Sequence, residues 1–150
     1  MRCRIQALLA TFIALVAIAT TATPTPADFS YGTMQASCAP WDGPAIVLTL
    51  TNEPSECKRT TEPFLSLGVW RGLPLQSGQT VKFGQGSDAG YASRCKKEND
   101  CERAQSGSVT FDKYNETSGA SGHYELHFKS GETLTGNFDV KWCQERVICG

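Results

Sequence analysis

The two histidines of this 150-residue chain lie four positions apart with a glutamate midway between them, in the stretch Gly122–Cys143, GHYELHFKSGETLTGNFDVKWC. Side chains on a β-strand alternate between faces, so His123, Glu125 and His127 share one face at about 6.5–7 Å per step. Imidazole and carboxylate are ligands for zinc or copper, and Asp139 follows in the same stretch. His123, Glu125, His127 and Asp139 are therefore the candidate metal set, provided that strand twist draws the two histidines together. The same pattern also describes a solvated polar face with a His123–Asp139 pair.

Nucleophilic catalysis finds less support. A triad needs a serine or cysteine beside the histidine. There is no G-x-S-x-G, and Ser121 lies in SGASG, which lacks that spacing. Glu125 and Asp139 have the residue types of a glycosidase pair, but among fifteen acidic residues some such pair is inevitable. No catalytic residue is assigned, no cofactor is expected, and the chain reads as non-enzymatic.

Binding candidates are of two kinds. Trp41, Trp70 and Trp142 have the rings of a carbohydrate platform. Trp142 shares a face with Phe138 and is expected in the core, whereas Trp70 has Phe64, Ser66 and Gly68 as strand-mates, a face small enough to leave its ring accessible. The second kind is the glycine-rich stretch Gln85–Arg94 and the loop KKEND between Cys95 and Cys101. Tyr91, Arg94, Lys96, Lys97 and Asp100 lie here, and loops held by a rigid scaffold are where binding residues concentrate. A local disulfide would reduce the entropy lost on docking. The expected function is an exported, non-catalytic binding or inhibitory domain that engages another exported or envelope protein through its stapled loops. A metal-binding protein and a carbohydrate-binding module are the alternatives.

Charge narrows the partners. Without Arg2 and Arg4 the chain carries twelve basic against fifteen acidic side chains, a net charge of −3. Lys96 and Lys97 are diluted by Glu98, Asp100 and Glu102, so no basic patch for nucleic acid stands out. Asn115-Glu116-Thr117 is a glycosylation sequon, relevant only in a eukaryotic secretory pathway.

The elements that must position these residues are strands. In Gly122–Cys143, Tyr124, Leu126 and Phe128 alternate with the polar set. After a turn at Lys129–Glu132, Leu134, Gly136, Phe138, Val140 and Trp142 share one face. The register expected sets Phe128 opposite Leu134, Leu126 opposite Gly136 and Tyr124 opposite Phe138. It brings His123 opposite Asp139, Glu125 opposite Asn137 and His127 opposite Thr135. Ala45–Thr51, Pro63–Arg71, Thr80–Gly84 and Ser108–Tyr114 read as further strands, and Gln85–Gly107 as the longest irregular stretch. No segment has a helical period. The fold class is all-β, a small antiparallel β-sandwich or partly open barrel of about six to eight strands, ending in a meander.

The amino terminus has the layout of a secretory signal peptide. Arg2 and Arg4 precede the apolar run Ile5–Ala19 and then small residues, with cleavage between Ala22 and Ala27. The run is short for a membrane span. Residues 1–27 are read as signal, 28–37 as an extended leader and 38–150 as a single β domain, monomeric and secreted or periplasmic. Removing the signal removes Cys3 and leaves Cys38, Cys57, Cys95, Cys101, Cys143 and Cys149, an even set that argues for three disulfides. The expected pairs are Cys95–Cys101, Cys38–Cys143 and Cys57–Cys149.

The last third, from GSVTFDKY through GHYELHF to GNFDVKWC, resembles a loose group of exported bacterial β-domains that end in G-x-F-x-x-x-W-C, here Gly136, Phe138, Trp142 and Cys143. The resemblance covers about a third of the chain. It implies the fold and the compartment and no catalytic residue.

Overall fold

The computed structural model describes residues 25–26, 29–57, 60–70, 74–84, 89–144 and 147–149. The expected signal segment lies almost wholly outside them. Among the described residues there is no helix, and the strands are β1 (Thr25–Pro26), β2 (Tyr31–Cys38), β3 (Pro44–Thr51), β4 (Phe64–Val69), β5 (Gln79–Gly84), β6 (Gly90–Lys97), β7 (Asp100–Arg103), β8 (Ser106–Asn115), β9 (Gly119–His127) and β10 (Thr133–Cys143). They form one open sheet in the order β5-β8-β9-β10-β2-β3-β4-β6-β7, with β1 alongside β10. Neighbours are antiparallel except that β1 and β2 run parallel to β10. The expected all-β, partly open barrel is this structure, and β8–β9–β10 is the expected meander.

Period-two alternation builds the core. Met34, Leu48, Leu50, Leu65, Leu67, Val69, Val109, Phe111 and Leu126 are buried from five different strands and pack as one cluster. The edges of the sheet approach each other without pairing. Phe83 on β5 lies so close to Gly90 on β6 that a Cβ there would be 3.0 Å from its ring. Between β7 and β8 the chain bridges the gap, with Ala104 N–H donating to Ala92 O at 2.9 Å and Gln105 N–H to His127 O at 2.8 Å.

Three strands stand where the sequence reads as leader or irregular chain. Tyr31–Cys38 is β2, between β10 and β3, and not a detached leader. Its inward positions include Gly32 beside Met34, so its apolar signal is weak. A Cβ at Gly32 would lie 2.1 Å from Thr49 O, which is why a small residue stands there. Within Gln85–Gly107, β6 and β7 form a hairpin in which Lys96, Lys97, Asp100 and Arg103 are exposed at the sheet edge, a placement that blunts the edge against further pairing.

The β9–β10 register also differs. His127 pairs with Thr133, Leu126 with Leu134, Tyr124 with Gly136 and His123 with Asn137. The cause is the turn. Phe128 N–H donates to Glu132 O at 2.9 Å and Gly131 N–H to Phe128 O at 3.0 Å, and Gly131 has φ 86°. Lys129–Gly131 is thus a three-residue loop with its glycine in the left-handed region, tighter than the expected turn. Each strand keeps its inward face because the shift is an even number of positions.

The six cysteines among the described residues are all in disulfides: Cys38–Cys149, Cys57–Cys143 and Cys95–Cys101. The local pair is as expected and the other two are exchanged. Because β2 and β10 are parallel, Cys143 lies level with Gln35, three residues short of Cys38. That is about 10 Å along the strand, more than a disulfide spans. The tail therefore runs on until Cys149 meets Cys38, and Cys143, on the outer face of β10, takes Cys57 from the segment after β3. Three disulfides are typical of proteins outside the cytoplasm. Among the described residues no helix is long and apolar enough to cross a membrane.

Candidate binding site at the aromatic end of the barrel

The strand directions give the barrel two ends. At the lower end β3 finishes, β9 turns into β10 and β6 turns into β7. At the upper end β2 turns into β3, β4 finishes, and β8 turns into β9.

Charge closes the lower end. Arg94, on β6, donates to Glu132 Oε1 at 2.7 Å and to Glu102 Oε2 at 2.8 Å, with its guanidinium 4.6 Å from the centre of the Phe128 ring. The bond to Glu132 raises the Arg94 pKa above its ordinary value; burial opposes this and the bond to Glu102 adds to it. Arg94 is committed to this plug. Lys96, Lys97 and Asp100 are exposed in the stapled hairpin at the same end.

Trp70 and Tyr91 lie at the other end. Their rings are 5.4 Å apart, tilted by 41°, and Trp41 meets Trp70 edge-on at 6.0 Å. Tyr91 lies flat across Gly68, where a Cβ would be 2.1 Å from the ring. Its hydroxyl is 3.2 Å from Ser66 Oγ, and the Arg103 guanidinium is 5.9 Å from its ring centre. The row Trp41–Trp70–Tyr91 thus lies on the outer face of the sheet. Trp41 is 51% exposed at the β2–β3 turn, and Ile148 is 84% exposed in the tail that Cys149 fastens to that turn. Three of the four exposed large hydrophobic residues described, Trp41, Val147 and Ile148, belong to this end.

The histidines stand on the outer face between the two ends. His127 Nε2 is 3.0 Å from Glu125 Oε1, and His127 Nδ1 is 3.0 Å from Thr133 Oγ1. His123 Nδ1 is 3.5 Å from Asp112 Oδ2, on β8. Asp139 pairs with Ser121, so it does not face His123 as the expected register required. Among the described residues no three His, Cys, Asp or Glu side chains are grouped to hold a metal ion.

The sequence-predicted binding set is therefore divided. Trp70 and Tyr91 come together with Trp41, while Arg94, Lys96, Lys97 and Asp100 belong to the opposite end. Arg103 and the tail were missed. The signal for the tail was the cysteine pairing, because joining Cys149 to Cys38 fastens the segment carrying Ile148 to the β2 end that leads into the Trp41 turn. Comparison with protein-family models, curated proteins and solved structures found no match.

Proposed function

We propose that this chain is an exported, non-catalytic binding or inhibitory domain that engages another protein through the upper end of its barrel. The observation that carries the reading is the row Trp41–Trp70–Tyr91, at the same end as the tail with exposed Ile148 that the Cys38–Cys149 disulfide fastens. Large exposed aromatic and aliphatic groups gathered in one place are the usual anchors of protein interfaces. The disulfide holds the turn and the tail before a partner arrives, so less entropy is lost on docking. Export is supported by the three disulfides together with the basic and apolar amino-terminal segment.

The test is capture of partners from the secreted or envelope fraction of the source. A Trp41→Ala, Ile148→Ser variant is expected to lose them. A variant changed at Lys96, Lys97 and Asp100 is expected to keep them. The opposite pattern would move recognition to the stapled hairpin.

Carbohydrate binding on the same row is a second reading, favoured by the flat seat of Tyr91 on Gly68 beside Trp70. A panel of soluble glycans tests it. Unchanged tryptophan fluorescence throughout would remove it.

A further inference from the structure

Inside the upper rim lies a cavity distinct from the aromatic row. Its volume is about 440 Å³, and it is walled by Pro44, Ile46, Pro74, Tyr114 and Trp142, with Glu116 beside them. A local irregularity brings Tyr114 there. Phe111 on β8 pairs with Gly122 and Lys113 with Ser121, so Asp112 is the extra residue of a β-bulge. Asp112 and Lys113 both face solvent as a result, and Tyr114 turns inward, its ring 6.0 Å from Phe111 and nearly perpendicular to it. On β10, Trp142 follows the inward parity of Phe138 and Val140 and packs against the core.

The charge at this mouth is negative. Asn115 Oδ1 accepts from Thr117 N–H at 2.8 Å and from Ser118 N–H at 3.1 Å, which shapes the turn carrying Glu116. Glu116 acts on the Tyr114 phenol, raising its pKa in addition to the larger effect of burial. Among the described residues Glu116 takes part in no ion pair.

We infer that this cavity binds a small organic ammonium ion with an apolar body. Apolar walls and a volume in the range of ligand pockets accommodate the body. Trp142 and Tyr114 put aromatic rings in its wall, which attract a cation that meets their faces, and Glu116 supplies the opposite charge. An anion would meet Glu116 unfavourably, and a neutral molecule would gain only the apolar walls.

Calorimetric titration of the whole protein with 2-phenylethyl-trimethylammonium, 2-phenylethanol and 3-phenylpropionate tests this. The ammonium ion is expected to bind at least about fivefold more tightly than the alcohol, and the anion most weakly. Glu116→Gln, at an exposed turn, is expected to remove that preference and leave alcohol binding unchanged. Trp70→Ala, in the outer row, is expected to alter neither, so the cavity is tested apart from the protein-binding surface. Ammonium binding no tighter than alcohol binding, absence of binding by all three at millimolar concentration, or an unchanged preference in Glu116→Gln would overturn the inference.

Discussion

The Arg94 guanidinium stands 4.6 Å from the centre of the Phe128 ring, with Glu102 and Glu132 each bonded to one of its nitrogens. One partly buried cation thus joins β6, β7 and the β9–β10 turn at the lower end of the barrel. Its flat fork can serve two carboxylates and a ring face at once, which an ammonium cannot. Arg94→Ala is expected to destabilise by about 2–3 kcal/mol, from charged hydrogen bonds and the ring contact together. Arg94→Lys should recover less than half of that. Urea unfolding measures both, and equal stability of Arg94→Lys and the parent would contradict the role given to the fork.

The core hairpin makes a second prediction. Leu126 is fully buried opposite Leu134, and Phe138 packs against Phe111 at 5.9 Å. Leu126→Ala and Phe138→Ala should each cost about 2–5 kcal/mol, the cost of removing a large buried side chain. Losses under about 1 kcal/mol at both positions would mean that the strands face the other way.

The outer row depends on the absence of a side chain at Gly68. A Cβ there would lie 2.1 Å from the Tyr91 ring and force it off the sheet. Gly68→Ala is expected to separate Tyr91 from Trp70, change the near-ultraviolet circular dichroism and lower stability by about 1–3 kcal/mol, as overpacking does. An unchanged aromatic spectrum would show that the ring does not rest on the backbone.

These residues also mark what the sequence made legible. Alternation identified β3, β4, β5, β8, β9 and β10, because their inward positions carry large apolar groups such as Leu48, Leu67 and Phe111. It missed β2, whose inward face mixes glycine with Met34, and it missed β6 and β7, whose polar residues belong to an edge. The register at Gly131 turned on a single left-handed residue that alternation does not encode. Among the site residues, the access to Trp70 was readable from the small strand-mates Ser66 and Gly68. Its meeting with Trp41 was not, since that rests on β2 and β4 flanking β3. The inward turn of Tyr114 rests on a bulge within an otherwise regular SVTFDKY.

Tyr114 should be recognisable by titration. Burial, with a smaller contribution from Glu116, raises its pKa above the ordinary tyrosine value of 10.0. The folded state therefore holds its proton after the unfolded chain has begun to release it, and the stability from this group is complete below about pH 10. It is lost as pH rises through the raised folded value. Absorbance titration is expected to show a late phenol phase whose amplitude falls by one phenol in Tyr114→Phe. In the same variant, the fall in stability above pH 10 should be shallower.

The central claim is that recognition belongs to the upper end of the barrel. The most direct measurement is the affinity of a captured partner for the parent, for Trp41→Ala and for the variant changed at Lys96, Lys97 and Asp100. Trp41→Ala should weaken binding by more than about tenfold, as loss of an aromatic anchor does. The lower-end variant should bind within about twofold of the parent. Full affinity in Trp41→Ala, with loss in the lower-end variant, would contradict the claim.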